Sequence, residues 1–393
     1  MNNINKPIVI VGSGFGGINA ALNLKKNNRD LSVIVIDSRS QFEFKPLLYE
    51  VLSDEVKSWE VILNLDDIYA NSGITFIRNY VTHIDLNKNF LILEDNLKLD
   101  FQYLILATGS SPNDFSIKGV SDYCNFFNTN EDQLKLKQLL DQPIIDNSNK
   151  KIFIIGAGPS GVELACKIKD LYKSKFEINI IERTSEILNN SKIFNKEEAE
   201  KAIERKNINL IRNSSLTEIT DQKILITNES NNLDQLPYFA IIWTAGIKPN
   251  LPEFAQDIQK HNNKIVIDKN LQLNKYPNVF VIGDISIMEG VNNLPVTAQV
   301  AMQQGEHVAL NLDLLIKNEN LLPFEFKDNG EMISLGVGEA SISGLGLTLS
   351  GKLAFDLRRI IYASKMPKID SGLKSTFSWA LKKKSFFQKL IFK

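Results

Sequence analysis

Two acidic residues close apolar runs that follow glycine-rich turns, and their spacing suits nucleotide chemistry. The first turn is Gly12-Ser13-Gly14-Phe15-Gly16-Gly17, entered from the apolar run 7–11 and left by a helical stretch over 18–25. The next apolar run, 31–36, ends at Asp37. In such a unit Gly12 permits the tight turn, Gly14 lets the backbone approach a pyrophosphate, and Gly17 lets helix and strand pack closely. The helix N-terminus offers free N–H groups to the phosphates, and the carboxylate accepts ribose hydroxyls. The pattern restarts 144 residues later: run 152–155, Gly156, Gly158 and Gly161, helix 162–172, then Glu177 to Ile181 and Glu182. The chain therefore carries two dinucleotide sites. A bare glycine turn also occurs in ligand-free α/β domains, but here strand, turn, helix and acid recur in order. Glu182 suits both ribose hydroxyls of NADH and repels a 2′-phosphate, while Arg183 beside it keeps NADPH open as donor.

Other elements must position these groups. Buried-strand runs end in Ala107-Thr108-Gly109, in Thr244-Ala245-Gly246 and in Gly283-Asp284, small residues that suit a chain passing close to a nucleotide. The run 279–284 predicts a strand returning to the first nucleotide domain, as an inserted second domain requires. After it, Thr297 opens a helix whose inward face is Ala298, Ala301, Gly305, Ala309 and Leu312. Gln299 and Gln303 lie four apart, so both amides project from one side of that helix.

Composition limits the alternatives. The 393 residues are 43% hydrophobic and 23% charged with a net charge of −1, enough for two or three domains of ordinary size. That balance hides an asymmetry: residues 357–393 hold ten Lys or Arg against the single acid Asp370. Cys124 and Cys166 stand 42 positions apart, and only three histidines are present, so neither a dithiol relay nor a metal site is expected. The N-terminus lacks the apolar core of a signal peptide, and no apolar run approaches the roughly 20 residues that span a bilayer. The basic tail carries apolar stripes: Leu353, Leu357, Ile360 and Ile361 beside Arg358 and Arg359; Leu373, Phe377 and Leu381; and Phe386, Phe387, Leu390 and Ile391. These predict a segment lying in the headgroup plane against anionic lipid. A partner-binding helix is the competing reading. Nucleic acid is not expected, since no binding motif accompanies the charge.

The motifs GSGFGG with Asp37, FKPLLYE, LATGS, GAGPSGVE with Glu182, TAGIKPN, VFVIGD and AQVAMQ resemble the two-dinucleotide-binding-domain flavoproteins. They most resemble the type II NADH:quinone oxidoreductases. The stretch 351–374 looks most like the cyanobacterial and plastid branch that includes demethylphylloquinone reductase. The resemblance implies an α/β fold of two Rossmann-like domains, one inserted in the other, plus a C-terminal amphipathic membrane-associating segment. Residues 1–115 and 265–325 would bind FAD, 116–264 NAD(P)H, and 326–393 would form the quinone and membrane region. The FAD-binding residues implied are Gly12, Gly14, Phe15, Gly16, Gly17, Asp37, Lys45, Leu47, Thr108, Gly109, Asp284, Ala298 and Gln299. Those for NAD(P)H are Gly156, Gly158, Gly161, Glu163, Glu182, Ala245 and Gly246. Asp284 would reach the ribityl chain. Gln299 and Gln303 would line the quinone pocket, and Glu163 would help deliver protons to the reduced quinone; a plain charged residue in the helix's first turn is the alternative for Glu163. FAD would take hydride from NAD(P)H and pass two electrons to a membrane quinone, a naphthoquinone such as demethylphylloquinone, or plastoquinone or menaquinone, without proton pumping. The expected location is peripheral, on the cytoplasmic side of a cell or thylakoid membrane, with a homodimer left open. Sulfide:quinone reductase chemistry would need cysteines at the flavin. A ferredoxin-reductase-like enzyme or a flavin-bound redox sensor are the competing functions.

Overall fold

The structure, a computed structural model, describes residues 6–144, 150–230, 232–290 and 294–367. The first βαβ motif is β1 (Ile8–Val11), α1 (Phe15–Asn27) and β2 (Val33–Asp37). After a short helix α2 (Leu48–Leu52) come β3 (Ile74–Arg78) and β4 (Tyr103–Leu106). The second motif runs from β5 (Cys124–Phe126) through β6 (Lys151–Ile155), α3 (Pro159–Tyr172) and β7 (Glu177–Ile181) to β8 (Asn209–Ile211) and β9 (Ala240–Trp243). The chain ends its described part with β10 (Tyr276–Val281), α4 (Ala298–Ile316), β11 (Glu331–Gly336), β12 (Glu339–Gly344) and α5 (Gly351–Ser364).

Two compact units emerge. The first joins the chain up to Glu43 with Ile62–Ser111 and Lys248–Lys327. The second joins Phe44–Val61 and Pro112–Ile247 with the described residues from Asp328 onward. These bounds differ from the sequence-based ones in three main places, one of them being that 248–264 fall in the first unit. The Phe44–Val61 excursion and the segment after Asp328 both pack into the second unit, because their apolar side chains, Leu52 and Ile333 among them, join the core around α3.

Each unit has the same parallel sheet at its centre. In the first, β10, β4, β1, β2 and β3 lie side by side, all parallel, with Val9 opposite Leu104 and Ile34. In the second, the order is β5, β9, β6, β7 and β8, again parallel, with Ile154 opposite Ile180 and Ile242. Strands covered on both faces read as unbroken apolar runs, and β1 and β6 are buried accordingly. The return of β10 beside β4 is the strand that the inserted second motif requires.

Within the first unit, α4 lies on α1 at close range. A Cβ on Gly305 would stand 2.3 Å from the Gly16 carbonyl oxygen, so only glycine fits there. The inward face of α4 is broader than the small-residue stripe: Val300, Gln304, Val308 and Asn311 are buried with Ala301, Gly305, Ala309 and Leu312, whereas Ala298 is half-buried. Thr297 caps the helix, its hydroxyl accepting from the Val300 N–H. Although alanine is the better helix former, Gly305→Ala is expected to destabilise the protein by about 1–3 kcal/mol, because the backbone contact cannot yield. A urea titration reads this; an unchanged or higher midpoint would show that α1 and α4 can separate without cost.

Candidate functional site

In the first unit the glycine turn and the acid are joined directly. The Ser13 N–H donates to Asp37 Oδ2 at 2.6 Å. Arg39 closes on the same carboxylate, with Nε to Oδ1 at 3.1 Å and Nη2 to Oδ2 at 2.9 Å. Burial works against the Asp37 charge, but the Arg39 hydrogen bonds and charge, with the Ser13 amide, outweigh it and hold the carboxyl below its ordinary range. The Ser13 hydroxyl pairs with the Tyr69 hydroxyl at 2.9 Å. Gly12 has φ +105° and a Cβ there would strike the Ala107 carbonyl, while the Cβ position of Gly14 meets nothing within 4 Å. A backbone held tight behind and open in front at the start of α1 is the shape a diphosphate needs, and α1 has no acid in its first turn to oppose it.

The second unit repeats the arrangement. The Ala157 N–H donates to Glu182 Oε2 at 2.8 Å, and Thr184 supplies its N–H and hydroxyl to Oε1 at 3.0 and 2.9 Å. Gly156 has φ +102°, a Cβ on Gly161 would stand 1.9 Å from the Gly156 carbonyl, and Gly158 again faces open space. Thr244 ties the end of β9 to the Ile155 carbonyl at 2.8 Å, which places Ala245 beside Gly156. The Gly246 carbonyl accepts from Asn113 N–H at 3.1 Å.

The remaining residues of the first-unit set gather at the strand ends. Thr108 donates its hydroxyl to the Asn250 carbonyl, and the Asn250 N–H returns to Gly109 O at 2.9 Å. Asp284 accepts from the Ser110 hydroxyl at 2.5 Å. The Phe15 ring meets Phe42 edge-on at 5.1 Å. A pocket lined by Gly283, Asp284, Thr297, Val300 and Gln304 opens at the N-terminus of α4. Gln304, which sequence reasoning passed over, is buried and its Oε1 accepts from the Gly283 N–H at 2.7 Å.

Gln303 is placed differently from the sequence expectation of an amide free for a ligand. Its Nε2 donates to Lys327 O at 2.8 Å and its Oε1 accepts from Lys327 N–H at 3.0 Å. His307 and Asn311 follow at four-residue steps, and Asn311 brackets the Leu322 backbone with bonds of 2.9 and 3.0 Å. This polar face of α4 straps the chain over 322–327 against the helix. Gln299 lies one turn nearer the helix start and is half-buried. Lys45 and Leu47 belong to the second unit, where Lys45 Nζ donates to Asn128 Oδ1 at 2.6 Å and Leu47 is fully buried.

The second unit also holds a buried set of charges. Glu163 is not a first-turn residue: it is the fifth residue of α3 and 6% exposed. Its Oε1 accepts from the Ser334 N–H at 2.8 Å and from Arg358 Nη2 at 3.2 Å. Arg358, fully buried on α5, donates its other Nη to Glu50 of α2 and Nη2 also to the Pro46 carbonyl at 2.9 Å. Lys167, one turn past Glu163 and equally buried, pairs with Glu55 and stands 3.9 Å from Glu50. Burial raises the Glu163 carboxyl to about 7; Arg358 and the Ser334 amide pull it down, Glu50 pushes it up, and burial prevails. Arg358 therefore is not one of the lipid-facing cations the tail stripe suggested. It sits on the inward face of α5 with Ala354, Phe355 and Ala363, and Leu353 and Ile360 are the exposed large apolar residues of that helix. The stripes around Phe377 and Phe387 lie outside the described residues.

Comparison with known proteins agrees with this geometry. The model of the pyridine nucleotide-disulphide oxidoreductase family matches residues 6–305. The chain belongs to this family. It is 33% identical to the demethylphylloquinone reductase NdbB of Synechocystis sp. over 387 residues, covering 95% of both chains. It is 29% identical to an alternative NAD(P)H-ubiquinone oxidoreductase of Arabidopsis thaliana, covering 95% of this chain and 80% of that one. Among solved structures, NDH2 of Plasmodium falciparum in complex with NADH superposes with a TM-score of 0.87 at 20% identity, covering 96% and 98% of the two chains. The two cysteines supply no dithiol for disulphide chemistry, since Cys124 and Cys166 are unpaired and burial pushes both thiols up to about 12.

The Glu163 shift makes a stability prediction. Its folded-state value near 7 lies above the ordinary 4.5. Between those values the folded state keeps a proton that the unfolded chain has released, so stability falls as pH rises through that window. Below 4.5 both states are protonated and the contribution is level. Relative to Glu163→Gln, the parent should lose on the order of 2 kcal/mol between pH 4.5 and 7.5. Parallel pH–denaturation slopes for the two proteins would show that Glu163 titrates normally.

Proposed function

We propose that this protein is a FAD-dependent NAD(P)H:quinone oxidoreductase that passes two electrons from a nicotinamide nucleotide to a membrane quinone. The observation that carries this reading is the likeness to a named quinone reductase across 95% of the chain, in a molecule with two complete dinucleotide cradles. The first cradle, with Gly12, Gly14, Gly17 and Asp37, takes FAD; the second, with Gly156, Gly158, Gly161 and Glu182, takes NAD(P)H. FAD, when bound, supplies hydride acceptance and two-electron delivery to quinone. The chain's own part is to orient, to exclude water and to handle protons. The open faces at Gly14 and Gly158 fit diphosphates. Glu182, held by Ala157 and Thr184, presents a carboxylate to the ribose and favours NADH over NADPH. Asp284, Ala298 and Gln299 belong to the flavin and quinone side, where Gln303 secures the wall by strapping residue 327. Glu163 holds a proton near neutral pH and serves quinone reduction as a proton-handling group. The named relative in Synechocystis favours a naphthoquinone acceptor.

Bound flavin should bleach within one turnover on adding NADH and return to the oxidised spectrum on adding a short-chain naphthoquinone. A flavin that only a protein acceptor, such as a ferredoxin, reoxidises would overturn the reading in favour of a ferredoxin-reductase-like enzyme.

The charge of the tail supports a membrane-surface location for the enzyme. Residues 357–393 carry ten Lys or Arg against one acid, Leu353 and Ile360 of α5 are exposed, and no helix among the described residues is long and apolar enough to cross a bilayer. Removing residues 374–393 should leave NADH-to-ferricyanide turnover unchanged and release the protein from anionic vesicles in a flotation assay. Undiminished flotation of the shortened chain would sink the anchor assignment.

A further inference from the structure

Each glycine turn has a serine whose hydroxyl is taken up by a buried tyrosine. In the first unit Ser13, between Gly12 and Gly14, pairs with Tyr69. In the second, the Tyr49 hydroxyl donates to Ser160 Oγ at 2.9 Å. Ser160 is the second residue of α3 and half-buried. It stands in the turn whose unpaired N–H groups face a nucleotide's phosphates. Tyr49 comes from α2, 111 positions earlier, and lies in the second unit's core with Ile154 and Val162. Its ring stacks on Phe127 at 5.2 Å with 26° between the planes. Lys45, four residues before it, donates to Asn128, next to Phe127. The ring is therefore fixed, and the direction of its hydroxyl with it.

The two pairings are not copies of one inherited contact. Tyr69 closes a short helix inside the first motif, just ahead of β3, whereas Tyr49 precedes the whole second motif. A core tyrosine that needed only some acceptor could use a backbone carbonyl; here both use a serine of a nucleotide turn. Burial, with the Glu163 charge adding to it, keeps the Tyr49 phenol protonated far above neutrality, although the bond to Ser160 works the other way. A serine hydroxyl carries one hydrogen and two lone pairs. With Tyr49 donating into a lone pair, the Ser160 hydrogen must go elsewhere, and among the described residues that side chain makes no other hydrogen bond. The backbone of a first helical turn offers spare donors rather than acceptors. An anionic oxygen of a ligand is the partner that suits such a hydrogen best.

We propose that Tyr49 is a positioning residue for the second nucleotide site: by filling a lone pair of Ser160, it turns the serine hydrogen toward the diphosphate of bound NAD(P)H. This deepens the NAD(P)H reading of that site and rests on it. Tyr49 acts through the serine, and its effect belongs to nucleotide affinity rather than to the electron-transfer steps. The short excursion over 44–61 thus has a task at the second cradle, to bring in a hydroxyl that the second motif does not itself supply.

A double-mutant cycle on FAD-loaded protein tests the assignment. Tyr49→Phe keeps the ring and its stack on Phe127 and removes only the donor. It should raise the KM for NADH and the inhibition constant of ADP-ribose, which has the diphosphate without the nicotinamide, together by about three- to tenfold. Turnover at saturating NADH with a short-chain naphthoquinone should stay within about twofold. Ser160→Ala, which leaves the tyrosine in place, should cost at least as much. Adding Tyr49→Phe to it should cost nothing further, because both changes remove the same directed hydrogen. Ser160→Thr, which keeps a hydroxyl, should restore most of the affinity. A Tyr49→Phe protein with a lowered urea midpoint but unchanged nucleotide constants would show a merely structural pair and overturn the proposal. Additive losses in the double variant overturn it as well, and a loss for NADH without one for ADP-ribose overturns the diphosphate assignment. The parent separates this role from the reading beneath it: a flavin that neither NADH nor NADPH bleaches overturns the NAD(P)H reading itself. A parent that bleaches, beside a Tyr49→Phe variant of unchanged affinity, overturns only the role of Tyr49.

Discussion

A carboxylate that captures the amide of its own glycine loop is the contact on which both halves of this molecule depend. Ser13 N–H to Asp37 and Ala157 N–H to Glu182 are made 24 and 25 residues apart in sequence, at corresponding points of two βαβ motifs. Each locks the loop between β-strand and helix and thereby decides which backbone amides remain for a ligand. The amide after the first glycine is spent on the acid. At the second glycine of each turn, Gly14 and Gly158, a Cβ would meet nothing within 4 Å. Asp37 stays charged where it sits because Arg39 and the Ser13 amide outweigh burial. Loop shape and the position of the acid are thus set together by one hydrogen bond, and the parallel strand order repeated around it follows from the same right-handed crossover.

Helix α4 shows the complementary use of polar groups. Of its amides, Gln304 is turned inward to the Gly283 N–H and Gln303 outward to the backbone of Lys327. Buried polar groups that find partners rigidify what they join, and here they join the end of β10, the helix and the strap over 322–327. A helix packed on α1 through Gly305 and pinned on two further sides has little freedom to shift.

Much of this was legible in the chain, and the reasons differ by element. β1, β6 and their glycine turns were clear because strand, turn, helix and acid form a local pattern whose parts constrain one another. The returning strand was clear because an inserted motif must be followed by one. Helix α4 was read correctly in place and start, yet its face was not: small residues mark where a backbone comes close, but Val300, Gln304 and Asn311 are inward for reasons that lie in other segments. Gln299 and Gln303 share a side of the helix, as the four-residue spacing requires, but spacing is silent on whether an amide is already engaged. The fate of the Phe44–Val61 excursion was invisible for the same reason, since it packs with residues more than a hundred positions away.

Arg358 is the sharpest instance. Beside Arg359 in an apolar stripe of a basic tail, it reads as a surface cation, and only Glu50 and Glu163, 308 and 195 positions distant, make it an interior one. The available signal was local and weak: Glu50 follows Pro-Leu-Leu-Tyr without a break, and Lys167 repeats one turn after Glu163 on the apolar face of α3. Charges embedded in apolar runs must be paired or neutralised once buried, so two such carboxylates on separate elements imply a cation from a third. Breaking such a pair leaves an unpaired charge and is far more costly than replacing the whole set with apolar residues. Stability alone therefore gives no reason to keep three carboxylates and two cations in contact within this unit.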